Sequence, residues 1–225
     1  MKFKKILVIN IAEDRLDPYY WKKLESLADK AVILPKDSPQ IKKELADSDC
    51  VLTGFQIDVG KKEIDAAANL KYVSVLATAY GKIDVDYAKK KGIVVTNVPG
   101  YATESVAELV FAVILEKIRD ISEARHRGSK SNFSELGIKA TEIKDKLFAV
   151  LGLGRIGRRV AQIAKGFGAD VRYWSQNRKK DLEKAGIKFQ DADKLISEAD
   201  IISLHFAETP ETRNFFLTSE VRPPT

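Results

Sequence analysis

Short apolar runs alternate with longer segments of helical periodicity along most of this chain. In the first hundred residues the apolar runs are KILVIN (5–10), AVIL (31–34), CVLTG (50–54), YVSVL (72–76) and IVVTN (93–97). Each run is brief, rich in valine and isoleucine, and bounded by polar residues or glycine, which predicts five strands. The segments DPYYWKKLESLADK and DSPQIKKELADSD begin with Asp or Ser followed by proline, which predicts an N-cap and a first-turn proline. This alternation predicts a parallel α/β sheet with helices on both faces.

The alternation is interrupted after Pro99, and we place the division between two domains near that residue. Apolar residues then recur on one helical face at positions 106, 110, 113, 114, 118 and 121. This spacing predicts one continuous helix from Thr103 to about Arg127. Its middle, LVFAVIL, is apolar nearly all round, which indicates burial on more than one side. Such a helix suits a connection between domains or a contact with a second subunit, and the core of a single domain fits the pattern equally well.

A second alternating series begins at Leu147. The predicted strands are LFAVL (147–151), DVRYW (170–174), IKF (187–189) and IISLHF (201–206). A helix is predicted from Arg155 to Phe167, and two more within KKDLEKAG and DADKLISEAD. A doubly wound dinucleotide domain has six parallel strands, whereas this series provides four before the sequence stops at VRPPT. We therefore expect that a C-terminal part of the domain is missing.

Composition narrows the classes of function. The formal net charge of +6 comes from lysines scattered along the chain, so we expect no nucleic-acid partner, although the charge suits an anionic cofactor. Cys50 is the only cysteine, which excludes a disulfide within the chain, and the two histidines lack the carboxylates of a metal site. No run approaches the ~18 apolar residues of a membrane span, and the first run is too short for a signal peptide. We therefore expect a cytoplasmic protein with no metal and no membrane partner.

A glycine motif follows the strand at 147–151. Gly152, Gly154 and Gly157 form G-x-G-x-x-G between this strand and a predicted helix, which is the context that a dinucleotide site requires. The first glycine permits a tight turn, the second lets the backbone approach a pyrophosphate, and the third lets the helix pack close to the sheet. The alternative is a glycine-containing turn without a ligand.

The next strand ends without the acid that commonly binds the ribose hydroxyls of NAD. Ser175 stands at its end, eighteen residues after Gly157, and Gln176 and Asn177 follow it. A serine can donate to a 2′-phosphate, and Arg178 and Lys179 could pair with one. The sequence therefore favours NADP slightly over NAD. The alternative is that the basic residues form only a surface turn.

Three segments carry a resemblance to a known family. Residues 70–116 (LKYVSVLATAYGKIDVDYAKKKG and onward), 147–174 (LFAVLGLGRIGRRVAQIAKGFGADVRYW) and 199–220 (ADIISLHFAETPETRNFFLTSE) occur in the order typical of D-isomer-specific 2-hydroxyacid dehydrogenases. The family includes glyoxylate/hydroxypyruvate reductases, D-lactate dehydrogenases and 3-phosphoglycerate dehydrogenases. The resemblance covers essentially the whole chain to about Val221.

The resemblance implies an architecture and an activity. Residues 1–98 would form the N-terminal portion of a flavodoxin-like substrate domain, and residues 99–225 an incomplete Rossmann-type NAD(P)-binding domain. The helix at 103–127 would contribute to a homodimer. The implied reaction is NAD(P)-dependent reduction of a small 2-oxo acid, such as glyoxylate or hydroxypyruvate. The family's catalytic arginine, glutamate and histidine would lie downstream of this chain, so neither His126 nor His205 takes their place.

The resemblance also implies binding residues. The backbone of Ala77, Thr78 and Ala79 would hold the substrate carboxylate, and Thr78 would also approach the cofactor. The implied cofactor contacts are, at the pyrophosphate, Gly152, Gly154, Arg155, Ile156 and Gly157; at the adenosine ribose, Ser175, Gln176, Asn177 and Arg178; and near the adenine, His205 and Phe206. The chain departs from the family at Ala79, commonly glycine, and at Ala207, usually proline. A different class of function, a non-catalytic dinucleotide-binding or sensing protein, or an inactive fragment, stays open.

Overall fold

The computed structural model describes residues 2–55 and 57–206, together with Thr212. The chain forms two compact units, and the division falls between Tyr101 and Ala102. The expectations for Ala207 and for the VRPPT ending lie outside the described residues.

The first unit is built on five parallel strands. They are β1 (Phe3–Ile9), β2 (Ala28–Leu34), β3 (Cys50–Thr53), β4 (Tyr72–Val75) and β5 (Val94–Asn97). Their order in the sheet is β2-β1-β3-β4-β5, which is the flavodoxin-like order. Alternate residues of β1 point to opposite faces, so Leu7 and Ile9 enter one buried cluster and Ile6 and Val8 another. Both faces are therefore covered, as the alternating sequence predicted.

Helices connect these strands. A 3-10 turn (Glu13–Arg15) precedes α1 (Pro18–Ser26), and α2 (Ile41–Ala46), α3 (Lys61–Ala66) and α4 (Val85–Lys90) follow. Asp17 caps α1 by accepting a hydrogen bond from the Tyr19 N–H at 2.8 Å, with Pro18 as the first helical residue. The start predicted for the next helix at Ser38 is wrong, because α2 begins at Ile41. The Ser38 hydroxyl instead accepts from the Gln40 N–H at 3.3 Å, within a turn.

The second unit has a four-stranded parallel sheet. Its strands are β6 (Leu147–Leu151), β7 (Asp170–Trp174), β8 (Lys188–Phe189) and β9 (Ile201–Leu204). Its helices are α5 (Thr103–Ile118), α6 (Ile121–Ser129), α7 (Arg155–Gly166), α8 (Lys180–Lys184) and α9 (Ala192–Glu198). The strand order β8-β7-β6-β9 corresponds to strands 3-2-1-4 of a Rossmann sheet.

The single helix predicted from Thr103 to Arg127 is wrong. The chain breaks between Ile118 and Ile121, where Asp120 adopts a left-handed conformation with φ of 52°. Aspartate tolerates this conformation better than most residues. The Ile118 carbonyl, left free at the helix end, accepts a hydrogen bond from the Thr141 N–H at 2.7 Å.

The centre of α5 is buried on one side, not on several as its composition suggested. Phe111 stacks on Phe148 and Phe167 with ring centroids 5.8 and 5.3 Å apart. On the opposite side Leu109 and Val113 are each 61% exposed. The helix therefore packs on the second sheet with one face and leaves an apolar face outward.

The described helices and the clustering of ionisable side chains bear on membrane insertion and metal binding. In the described part of the chain, none of the helices combines the length and the apolar character needed to cross a bilayer. Among the same residues, His, Cys, Asp and Glu side chains nowhere gather in a group of three that could hold a metal ion.

Candidate functional site

The turn from β6 into α7 can accommodate only glycine at two of its positions. Gly152 has φ of +95°, and a Cβ there would lie 2.5 Å from the Phe206 nitrogen. A Cβ on Gly157 would lie 2.1 Å from the Gly152 carbonyl oxygen, inside any allowed contact. These glycines bring the first turn of α7 directly against the end of β6, because no side chain stands between them.

The remaining glycine of the motif lies at an open surface. Gly154 is the N-cap of α7, has extended backbone, and would carry a Cβ with no atom within 4 Å. As in any α-helix, the first-turn N–H groups, here of Arg155, Ile156 and Gly157, have no acceptor within the helix, and Gly154 has no side chain that could cap them. The first turn contains no acid, and Arg155 is exposed beside it. Free N–H groups, the positive end of the helix dipole and open space together fit a phosphate group.

The end of β7 lies next to this turn. The Gly152 N–H donates to the Trp174 carbonyl at 2.8 Å, which places Ser175 beside the start of the glycine motif. Ser175 is half-buried, whereas Gln176, Asn177 and Arg178 are exposed. Arg178 binds the Glu183 carboxylate of α8, with Nη2 2.5 Å from Oε2 and Nε 3.1 Å from Oε1.

The residues after β9 complete the group. The His205 N–H donates to the Leu151 carbonyl at 2.7 Å, and its Cβ lies against Gly157. Its ring nitrogen Nε2 is 2.7 Å from the Ser203 hydroxyl. Burial lowers the pKa of His205, so its imidazole is neutral at pH 7. The structure thus brings the glycine turn, Ser175, His205 and Phe206 together at the carboxyl edge of one sheet, where α/β folds bind ligands.

The other predicted binding residues follow β4 in the first unit. Ala77 is buried, and Thr78 and Ala79 are exposed. The Asn97 side-chain amide donates to the Thr78 carbonyl at 2.7 Å, and the Val98 N–H donates to the Ala77 carbonyl at 3.0 Å. The loop is therefore held by the last residue of β5 and the residue after it, and Thr78 and Ala79 are exposed beyond the carboxyl end of β4.

Comparison with known proteins identifies the lineage. The profile described as "D-isomer specific 2-hydroxyacid dehydrogenase, NAD binding domain" matches residues 111–222. The chain is 36% identical over 167 residues to a glyoxylate reductase of Aeropyrum pernix, and 34% identical over 198 residues to that of Thermococcus litoralis. It belongs to the D-isomer-specific 2-hydroxyacid dehydrogenase family.

The sequence of this dehydrogenase-family chain spans only part of the length of the relatives that it matches. It spans 50% and 60% of those two proteins, which match 71% and 84% of its own residues. A D-lactate dehydrogenase of Aquifex aeolicus, solved with NAD and lactic acid, superimposes with a TM-score of 0.82 at 32% identity. That superposition covers 92% of this chain and 62% of the Aquifex chain.

Two polar contacts at these sites were missed from the sequence of this family member. The sequence predicts Asn97 only as the end of a strand, although an amide at that point is a signal for a hydrogen bond to a neighbouring loop. It predicts Glu183 as part of a short helix and does not include it in the ribose site. Its contact with Arg178 spans five residues across the junction of a loop and a helix, so helical i,i+4 spacing gives no signal for it.

Proposed function

We propose that the second unit binds NAD or NADP at the turn of Gly152, Gly154 and Gly157. The observation that carries this proposal is the uncapped start of α7 at Gly154, where a Cβ would meet nothing within 4 Å. Backbone N–H groups that lack partners within the helix suit a pyrophosphate, and the absence of a side chain lets it approach. Membership of a family with an NAD-binding domain supports the same conclusion.

The other residues of the proposed site would contact the ribose and the adenine of the adenosine. Ser175, Gln176, Asn177 and Arg178 would surround the ribose, and His205 and Phe206 would lie near the adenine. We favour NADP slightly, because Ser175 stands where a carboxylate would repel a 2′-phosphate. Related structures of both kinds exist, since the Aquifex enzyme was solved with NAD and an acyclic imino acid reductase, 29% identical, with NADPH.

We further propose that the chain is part of an oxidoreductase acting on the CH–OH group of a small D-2-hydroxy acid. The bound dinucleotide would supply the hydride that reduces a 2-oxo acid such as glyoxylate or hydroxypyruvate. The backbone N–H groups of Ala77, Thr78 and Ala79 would hold the substrate carboxylate, and Asn97 would fix the loop that presents them. The names of the relatives support this substrate class. Residues 1–98 would then serve as substrate domain and residues 99–225 as cofactor domain.

We also propose that the chain assembles as a homodimer. Leu109 and Val113 leave an apolar face on α5, which supports a homodimer through the 103–127 region. We expect the protein in the cytoplasm.

One observation favours a second candidate, a dinucleotide-binding protein that does not catalyse turnover. Reduction of a 2-oxo acid needs a general acid and a cation near the carbonyl. Within the described residues, the ring of His205 bonds to Ser203, and neither histidine forms a salt bridge with a carboxylate. We therefore assign none of the described residues a catalytic role.

Calorimetric titration of the 225-residue chain with NAD⁺ and NADP⁺, followed by a glyoxylate-dependent NADPH oxidation assay, separates these possibilities. Binding with turnover supports the dehydrogenase, and binding without turnover supports the second candidate. If neither dinucleotide binds at millimolar concentration, both are wrong.

A further inference from the structure

The guanidinium of Arg178 is already held by a carboxylate. Glu183 accepts two hydrogen bonds from it, at 2.5 and 3.1 Å, in the paired geometry that arginine and carboxylates favour. The guanidinium carbon also lies 5.0 Å from the centre of the Phe189 ring. Arg178 therefore has a fixed position and a compensating negative charge before any ligand arrives.

Glu183 is itself anchored to the sheet. Tyr173, on β7 and fully buried, donates its hydroxyl hydrogen bond to Glu183 Oε1 at 2.8 Å. The same hydroxyl accepts the Lys179 N–H at 2.6 Å, so it also fixes the loop that contains Arg178. The pairing with Arg178 lowers the pKa of Glu183, which is therefore ionised at neutral pH. The side chain of Glu183 is 22% exposed and that of Arg178 is 59% exposed.

We propose that Glu183 determines how strongly this site discriminates between NADP and NAD, by competing with the 2′-phosphate for Arg178. The inference rests on the dinucleotide site proposed above. A 2′-phosphate that reaches Arg178 must either share the guanidinium with the Glu183 carboxylate or displace that carboxylate. In both cases the negative charge of Glu183 repels the phosphate. The uncharged 2′-hydroxyl of NAD meets neither obstacle. Glu183 thus opposes a 2′-phosphate in part, as an acid at position 175 would, and so limits the slight preference for NADP proposed above.

The test is the ratio of dissociation constants for NADP⁺ and NAD⁺ in a Glu183→Gln variant, measured by calorimetry at low ionic strength. Glutamine keeps the length and one acceptor of glutamate and removes the charge. Because the ion pair between Arg178 and Glu183 is exposed, its removal should have a modest effect, and we expect NADP⁺ to bind to Glu183→Gln about fivefold more tightly than to the wild type. The dissociation constant of NAD⁺ should stay within about twofold, because its ribose makes no ionic contact with Arg178.

Asp181→Asn is the matched control. It removes one negative charge from the same short helix, but its carboxylate binds Arg158 of α7 and not Arg178. Any effect through Arg158 would act on both dinucleotides alike and leave their ratio unchanged. In a Glu183→Gln, Arg178→Gln double variant the gain for NADP⁺ should disappear, because the released cation is then absent.

The outcomes separate this inference from the function on which it rests. A wild-type chain that binds neither dinucleotide overturns the proposed function, and this inference with it. A chain that binds both, with an unchanged ratio in Glu183→Gln or an equal shift in Asp181→Asn, overturns the inference alone. Should Glu183→Gln fail to fold by circular dichroism, Glu183→Ala provides the same comparison. Alanine removes both the charge and the contact with Arg178, so the ratio should shift in the same direction.

Discussion

The two units pass from their first strand into the following helix in different ways. In the first unit eight residues separate Ile9 from Pro18, and Asp17 caps α1 with its carboxylate. In the second unit three residues separate Leu151 from Arg155, where α7 begins, and the N-cap is Gly154, which has no side chain. Among the described residues, the start of α1 is capped by a side-chain carboxylate, whereas the start of α7 has no side-chain cap.

Both units nevertheless solve the same packing problem at the point where strand order reverses. A Cβ on Gly54, after β3, would lie 2.7 Å from the Asn10 carbonyl oxygen at the end of β1. A Cβ on Gly152, after β6, would lie 2.5 Å from the nitrogen of Phe206, which follows β9. Each unit needs a glycine where its two central strands end. In the first unit the glycine follows the later of the two strands, β3, and in the second unit it follows the earlier one, β6.

A parallel sheet with a crevice at its strand-order reversal is therefore common to both units, whereas, of α1 and α7, only α7 in the second unit has a start open to a phosphate. The proposed phosphate site would depend on the length of the turn and on the residue at the N-cap, which the sheet leaves free to vary.

Gly157→Ala should destabilise the second unit by about 3 kcal/mol, because the added Cβ would collide with the Gly152 carbonyl and force α7 away from β6. Urea unfolding followed by fluorescence measures this, since Trp174 lies in the second unit and Trp21 in the first. Gly166→Ala, in the same helix, should cost nothing or gain about 0.5 kcal/mol. Equal stabilities of the two variants would contradict the close contact at Gly157.

Gly154→Asp should weaken the binding of NAD⁺ about a hundredfold. The new carboxylate would accept hydrogen bonds from the first-turn N–H groups of α7 and would repel the pyrophosphate. The stability of the unliganded chain should not fall, since aspartate is a favourable N-cap and the space there is open. Asp17→Ala makes the opposite change at α1. It should cost about 1 kcal/mol of stability and leave NAD⁺ affinity unchanged. Calorimetry and urea unfolding of both variants measure the two effects, and undiminished NAD⁺ binding by Gly154→Asp would rule out a phosphate at this helix.

Much of the fold could be predicted from the sequence because local patterns and tertiary packing agree. The bounds of β6 and β7 match the runs LFAVL and DVRYW, whose buried residues alternate or continue as parallel strands require. The helix break at Asp120 escaped prediction because apolar residues continue on both sides of it. Hydrophobic periodicity predicts which residues lie on one face of a helix, but it gives no signal for a single residue with a left-handed backbone, such as Asp120.

The candidate site was predicted where a motif fixes the backbone and missed where side chains meet across elements. The spacing of the glycines in the turn predicts where the backbone of the structure leaves no room for a side chain. The contact of Arg178 with Glu183 depends on how the loop after β7 folds back onto α8, which no spacing rule specifies. The Asn97 amide likewise reaches a neighbouring loop nineteen residues away in sequence.

A third contrast concerns the aspartate that directly precedes the second central strand of each unit. Asp49 accepts hydrogen bonds from the N–H groups of Lys4 and Lys5 at 3.1 and 3.0 Å, and its side chain is 6% exposed. Asp200 accepts one, from Leu147 at 2.8 Å, and its side chain is 45% exposed. Asp49→Asn should therefore cost about 2 kcal/mol at pH 7, and Asp200→Asn less than about 1 kcal/mol.

The cost of Asp49→Asn should depend on pH. Burial opposes ionisation of Asp49, but the Lys5 and Lys4 N–H bonds outweigh it and lower its pKa below the usual value. A carboxyl whose folded pKa is depressed stabilises the fold above its unfolded pKa, near 4, and loses that contribution as the pH falls through the folded value. The difference between wild type and Asp49→Asn should thus be full at pH 7 and shrink below about pH 4. Urea unfolding of both at pH 7 and pH 3, followed through Trp21, measures it. A difference that stayed constant would mean that Asp49 acts through its shape and polarity and not through its charge.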